Sequence, residues 1–305
     1  MKTIPIIAGP TAVGKTALSI ALAKRLDAEI VSADSRQIYA PFRIGTARPT
    51  ALEMDGVVHH LMGIWPLDRA YSAGIFADMA RALIPSILER GKRVIVVGGS
   101  TLYVEALLNG LSDIPKVDPA IRTQLNSAVL AGELETLYKE LQEADPVFAA
   151  TLDPTKSQRI IRGLEVFRGT GSPLSDFHTP PPLPGQSFRL LVLHADRQKL
   201  YDRINERVEH MVTAGLVDEC REALAAEPDT GLNAWRTIGY QELMPFLQGD
   251  CSLEQSVQAI QRHSRRYAKR QLTWYRRYPE AQWLDLEEAG VEKTADTLAF
   301  ELRES

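Results

Sequence analysis

Cysteine is almost absent from this 305-residue chain: Cys220 and Cys251 stand alone and far apart. Two such thiols make neither a disulfide framework nor a metal-ligand spacing, and inert packing is the simpler reading of each. Long apolar runs are missing too; none approaches the ~20 residues that a membrane-spanning helix needs. The first strand-like run begins almost at Met1, which leaves no room for a charged segment followed by an apolar one, so no secretion signal is expected. Nor is there an excess of positive charge, since 35 Lys and Arg stand against 39 Asp and Glu, a net charge of -4. Any nucleic-acid site must therefore be a local patch. No internal repeat and no stripe suited to self-association stand out. A soluble, cytoplasmic monomer is the expectation.

What is present is an ordinary globular composition, 45% hydrophobic and 24% charged, long enough for one large core or two smaller ones. Thr3–Ala8 reads as a short buried strand that turns through Gly9-Pro10 into a helix from about Thr16, with Leu18, Leu22 and Leu26 on one stripe. Residues 29–33 (EIVSA) form a second strand ending at Asp34, and 92–97 (KRVIVV) a third, bounded by Gly91 and Gly98-Gly99. An unbroken apolar run of that kind suits a strand buried on both faces of a parallel sheet. Strands alternating with helices predict an α/β fold, a parallel-sheet core with helices on both faces. From residue 115 to 186 only helix signals remain, around 120–131, 133–144 and 157–168, with Asp118-Pro119 as a cap followed by a first-turn proline. Residues 180–185 (PPPLPG) read as a linker, and 188–194 (FRLLVLH) as a return to the sheet. The expected organisation is a core from 1–114 and 187–305, helical in its C-terminal portion from about Arg197, interrupted by a helical insertion domain over 115–186.

The run Gly9-Pro10-Thr11-Ala12-Val13-Gly14-Lys15-Thr16 matches G-x-x-x-x-G-K-[ST] between a predicted strand and a predicted helix, the context such a phosphate loop (P-loop) requires. Glycines let backbone N–H groups turn inward around phosphate oxygens, and the helix N-terminus adds a favourable dipole. Lys15 supplies a point charge, and Thr16 offers a hydroxyl to Mg²⁺. The loop does not say which phosphate compound binds. A P-loop NTPase usually carries a second strand ending in Asp that helps hold Mg²⁺. Here the candidate strand ends instead in Gly98-Gly99-Ser100. The nearby carboxylate is Asp34, at a strand's carboxyl end where α/β sites lie. Its position suits a Mg²⁺-organising group, a general base or a helix cap, and residue type alone leaves all three open.

Arginines recur in two further places. Arg159 and Arg162 sit three apart on one helix side, and Arg203, Arg207 and His210 follow Asp196 on another helix. Beside a phosphate loop, some of these planar donors should close over a diphosphate. Residues 262–277 (RHSRRYAKRQLTWYRR) carry seven Lys and Arg and no acid. Arg262, Arg266 and Arg270 repeat at four, with Lys269 beside them and with Tyr267 and Trp274 seven apart on a neighbouring stripe. Such interleaving suits phosphate tracking and base stacking in RNA, against the plainer reading of a solvated face over a core stripe.

Taken in order, GPTAVGKT (9–16), SADSRQIY (32–39), IGTARP (44–49), HHL (59–61), VGGSTLY (97–103), QRIIRGLEV (158–166), IGYQEL (238–243) and YAKRQLTWYR (267–276) resemble the bacterial tRNA dimethylallyltransferases, over almost the whole chain. The resemblance implies transfer of a dimethylallyl group from dimethylallyl diphosphate to N6 of adenine 37, beside the anticodon, with Mg²⁺ as cofactor and the tRNA anticodon stem-loop as partner. It implies that Asp34 is the general base and that Ser100 falls at a catalytic position. The donor diphosphate falls to Gly9, Thr11, Ala12, Val13, Gly14, Lys15, Thr16, Arg159 and Arg207, and the metal to Thr16. Asp34, Ser35, Arg36, Gln37, Ser100, Arg122, Gln158, Arg159, Ile160, Ile161 and Arg162 match tRNA-contacting positions, to which the basic helix adds Arg266, Lys269, Arg270 and Trp274. Three positions depart from the family pattern: Ser100 where threonine is usual, Thr101 where glycine is frequent, and Arg48 where lysine is usual. Two other functions use the same features: a P-loop kinase for a small metabolite, with Asp34 as base for a hydroxyl, and a non-catalytic, nucleotide-regulated RNA-binding protein.

Overall fold

A computed structural model describes residues 3–111, 114–177 and 186–304. The expected linker at 180–185 lies outside them. The chain divides into two compact units, Met1–Leu108 with Pro182–Ser305 and, separately, Asn109–Pro181.

The first unit opens with β1 (Thr3–Ala8), α1 (Lys15–Leu26), β2 (Ala28–Ser32), α2 (Ala51–Met54), β3 (His59–His60), α3 (Ala73–Glu89), β4 (Arg93–Val97) and α4 (Thr101–Leu108). The second unit contributes α5 (Pro119–Leu130), α6 (Leu134–Ala144), α7 (Pro146–Ala149) and α8 (Ser157–Thr170). The first unit then resumes with β5 (Ser187–His194), α9 (Arg197–Thr213), α10 (Leu216–Ala226), α11 (Tyr240–Gln248), α12 (Leu253–Tyr275), β6 (Gln282–Asp285), α13 (Leu286–Ala289) and α14 (Val291–Glu304).

The described strands form one parallel sheet in the order β3-β2-β4-β1-β5-β6. Side chains alternate between faces, so each central strand buries both. Ile7, Ile30, Ile95, Leu191 and Leu193 pack with Leu18, Leu22 and Leu26 of α1, Leu200 and Ile204 of α9, and Leu298 and Leu302 of α14. Their alternates Ile6, Val31, Val96 and Val192 are equally buried, and α3 packs against β4. The pairings Ile7↔Val97 and Ser32↔Val97 bring the carboxyl ends of β1, β2 and β4 level. The loops that follow therefore emerge side by side, and each of them carries one of the singled-out motifs.

Two strands depart from the sequence reading. β3 has only two residues, too few for any periodicity to register. β6 falls inside the portion expected to be helical; it pairs with β5 through Leu191 to His194 but buries none of its four residues fully, so it lacks the apolar run of a central strand.

The second unit has a core of its own, in which Leu125, Leu137, Leu141, Ile160, Ile161 and Leu164 meet. Asp118 caps α5 by accepting from the Ala120 amide, with Pro119 in the first turn.

Candidate active site

The loop from β1 to α1 is shaped by close approach. At Gly9 a Cβ would come within 2.6 Å of the Leu193 carbonyl oxygen, so no side chain fits there. Ala12 (φ 64°) and Gly14 (φ 102°) take left-handed conformations, and no side chain caps the N-terminus of α1. The first amides of α1 are thereby left without a side-chain cap, an arrangement suited to anionic oxygens. Lys15 folds back over the turn and donates to the carbonyls of Gly9 (3.1 Å) and Pro10 (2.7 Å). Burial pulls its ammonium down to about 8; Asp34 opposes that shift and Arg207 adds to it.

Arg207 reaches the same loop from α9, donating through Nη2 to Thr11 Oγ1. Burial lowers its guanidinium to about 10, with Asp34 acting the other way. Its Nε is buried without a hydrogen-bond partner among the described residues. A buried guanidinium N–H is costly unless something accepts from it, and beside the uncapped start of α1 the natural acceptor is an anion.

Asp34 ends β2. Its Oδ1 accepts from the amides of Arg36 (2.8 Å) and Gln37 (3.2 Å), so the carboxylate does cap the turn that follows. That turn leaves Oδ2 unused, and Asp34 faces two cavities. One, of about 260 Å³, is lined by the phosphate loop with Met62 and Val97; the other, of about 510 Å³, by Arg36, His263, Arg266 and Tyr267. Thr11, Asp34, Thr46 and Arg207 belong to both walls. Two molecules that entered these cavities would meet at these four residues.

The family model described as IPP transferase matches residues 37–278, well over half of the chain. The chain belongs to the IPP transferase family. A tRNA dimethylallyltransferase of Salinibacter ruber is 47% identical over 96% of this chain and 90% of its own length. One from Pelobacter propionicus is 45% identical over 97% of both chains. Among solved structures, the full-length tRNA isopentenylpyrophosphate transferase of Bacillus halodurans superposes with a TM-score of 0.73 at 37% identity, covering 100% of this chain and 98% of that one. A eukaryotic dimethylallyltransferase acting on tRNA gives a TM-score of 0.83 at 26% identity, over 99% of this chain and 79% of that one.

In this IPP transferase the remaining expected residues fall in several environments. Ser35 and Arg36 line the larger cavity, and Arg36 donates to the Asn233 carbonyl at 2.8 Å. Gln37 lines the smaller one, its Nε2 donating to the carbonyls of Thr46 (3.2 Å) and Ala47 (3.1 Å). Ser100 is 7% exposed and lines neither; its Oγ accepts from the Ser35 amide (2.8 Å) and donates to Ser35 Oγ (3.1 Å). Its hydroxyl thus holds the turn that follows Asp34. Gly98-Gly99 follows from packing, since a Cβ on Gly98 would lie 2.1 Å from the Ala33 carbonyl oxygen.

Arg122, Gln158, Arg159, Ile160, Ile161 and Arg162 all belong to the second unit. Arg122 and Arg162 each donate to Glu165 Oε2 at 3.0 Å, and Arg122 also reaches Gln158 Oε1 at 3.2 Å. Arg159 is exposed on α8. Ile160 and Ile161 are 0% exposed in that unit's core, which corrects their expected contact with RNA: no side chain of theirs reaches the surface. Arg207, expected at the donor, belongs to the cluster around the phosphate loop.

On α12, Arg266, Lys269 and Arg270 are exposed and share one face with Trp274; just beyond the helix, the Arg277 guanidinium stacks 4.5 Å from the Trp274 ring centroid. Cys220 is buried, and burial, with Glu219 beside it, pushes its thiol up to about 12, as an inert cysteine requires. Two further groups of the site have little or no signature in the sequence. Gln271, on α12, bonds the phosphate loop, and only its membership of YAKRQLTWYR points to it. Glu219, on α10, accepts from the amides of Arg43 (3.0 Å), Ile44 (2.9 Å) and Gly45 (3.3 Å) and from the Tyr240 hydroxyl. No local pattern marks that residue.

Proposed function

We propose that this chain transfers a dimethylallyl group from dimethylallyl diphosphate to N6 of adenine 37, next to the anticodon of tRNA, and releases diphosphate. The observation that carries the reading is the Asp34 carboxylate standing in the wall of both cavities, beside an arginine with a buried, unanswered N–H. Membership of the IPP transferase family supports it. So do the names of relatives that match over nearly their full length.

An exocyclic adenine amine is a poor nucleophile, because its lone pair is delocalised into the ring. Its attack on the prenyl C1 needs an acceptor for the amine proton and stabilisation of the departing diphosphate. Asp34 takes the proton through the oxygen not engaged in its turn, a contribution of ~10²–10⁴-fold for a positioned base. Lys15, Arg207 and the loop amides hold the negative charge that develops on the leaving oxygen, usually the larger effect. Carbon changes partner; phosphorus does not. The larger cavity receives the adenine, which must leave its stack to enter.

The loop also fits Mg²⁺. Thr16 offers an exposed hydroxyl, and no cluster of three or more His, Cys, Asp or Glu exists among the described residues, so the ion would be shared with the diphosphate, as Mg²⁺ sites commonly are. Thr16 would hold it, and the ion would supply further charge neutralisation. We assign the basic face of α12 and the exposed polar residues of α8 to the anticodon stem-loop. Among the described residues no helix is long and apolar enough to cross a membrane, which is compatible with work on tRNA in the cytoplasm by a monomer. Nothing favours the kinase: β4 is followed by Gly98-Gly99 and not by an aspartate, and a hydroxyl acceptor explains no feature that adenine leaves unexplained.

Mass spectrometry of tRNA from cells lacking the protein tests the reading. Loss of dimethylallyl adenosine next to the anticodon is expected, and an unchanged nucleoside profile would contradict it.

A further inference from the structure

Gln271 sits on α12 one residue beyond Arg270, yet its side chain points inward and is 2% exposed. Its Oε1 accepts from the Thr11 amide at 3.1 Å, and its Nε2 donates to the Gly99 carbonyl at 2.7 Å. A single amide thus ties the first turn of the phosphate loop to the end of β4. The Gly99 end leads directly to Ser100, whose hydroxyl holds Ser35, the neighbour of Asp34. The other end leads to Thr11, whose own hydroxyl receives Arg207. Diphosphate cradle and proton acceptor are therefore joined through one side chain.

The loop's hydrogen-bond inventory agrees. Pro10 has no N–H, and the Thr11 N–H is taken by Gln271, so the amides free to face a phosphate begin at Ala12. Gly99 is shaped for the same contact: a Cβ there would lie 2.3 Å from Gln271 Nε2. A glutamine has both an acceptor and a donor at one tip, and both are used here in direct bonds to backbone. An apolar residue of equal size would fill the space and hold neither side.

Building on the transferase reading above, we infer that Gln271 is a positioning residue: its buried amide sets where the diphosphate lies relative to Asp34. It lines neither cavity. Its effect belongs to the alignment of C1, N6 and the carboxylate, where displacement by ~1 Å costs on the order of 10²-fold in rate.

The test compares the full-length parent with Gln271→Met, which keeps the volume and removes both hydrogen bonds, in prenyl transfer to an anticodon stem-loop. The expected result is a kcat lower by ~10- to 100-fold, with KM for the RNA within about twofold of the parent, since Arg266, Lys269, Arg270 and Trp274 are untouched. A packing role alone lowers the melting temperature and leaves kcat of the folded enzyme within about twofold, which overturns the assignment. If Gln271→Met does not fold, Gln271→Glu serves. It keeps the acceptor toward Thr11 and sets an oxygen against the Gly99 carbonyl, so the same selective fall in kcat is expected, and a parental kcat overturns the assignment. A parent that transfers nothing overturns the transferase reading and this assignment with it. An active parent beside an equally active variant overturns this assignment alone.

Discussion

Asp34 engages one oxygen in the turn toward Arg36 and Gln37, and the residue stands in the wall of both cavities. Asp34→Ala is therefore expected to lower single-turnover transfer by ~10²–10⁴-fold while donor binding persists; undiminished transfer removes Asp34 from the base role. Arg207→Ala removes a charge-assisted hydrogen bond worth ~1.5–3 kcal/mol, so donor affinity should fall about tenfold or more in equilibrium titration. Lys15 adds a dependence on pH. Its folded value of about 8 lies below the ordinary 10.5, so between those limits the unfolded chain binds more protons than the folded one, and this group's contribution to stability rises with pH across the window. A bound diphosphate restores the ammonium, so binding above about pH 8 should take up a proton and weaken as pH rises. Calorimetry at pH ~8.5 in buffers of different ionisation enthalpy reads that uptake, which Lys15→Met should abolish; uptake unchanged in that variant assigns it elsewhere.

At the scale of elements, the phosphate loop and its flanking β1 and α1 were legible because everything that defines them is local: an apolar run, a glycine pattern and a leucine stripe. Asp34 was legible as a strand-end carboxylate, although its part in a turn and its place in two cavity walls needed the fold. What local pattern cannot carry is an interaction across the chain. Gln271 meets Thr11 from 260 residues away, and Glu219 meets Ile44 from 175. Glu219 nevertheless organises the site, since the loop it grips offers the Thr46 and Ala47 carbonyls that hold Gln37. Burial, followed by the nearby Glu219, raises the Tyr240 phenol well above its usual range, so the hydroxyl keeps its proton and donates to that carboxylate. Tyr240→Phe should cost ~1.5–3 kcal/mol in chemical denaturation, the range for a bond to a charged group; a change below ~0.5 kcal/mol contradicts the pairing as a stabilising one. The short strands β3 and β6 were missed because sheet pairing, not their own residues, makes them strands. Ile160 and Ile161 were misplaced for the opposite reason: a motif names a segment, while helix geometry decides which of its side chains face the core.

At the scale of the molecule, a chain of net charge -4 concentrates exposed cations on one face of α12. Arg266→Ala, Lys269→Ala and Arg270→Ala should each flatten the log–log salt dependence of stem-loop binding by about 0.7 for every phosphate left without its cation, and leave donor affinity unaltered. The central claim concerns the bond that is made. Purified protein, an anticodon stem-loop and dimethylallyl diphosphate labelled at C1 should yield label on the adenine N6, with one diphosphate released for each alkylated RNA. Diphosphate or ATP phosphate handed to an acceptor while the RNA stays unalkylated would contradict it.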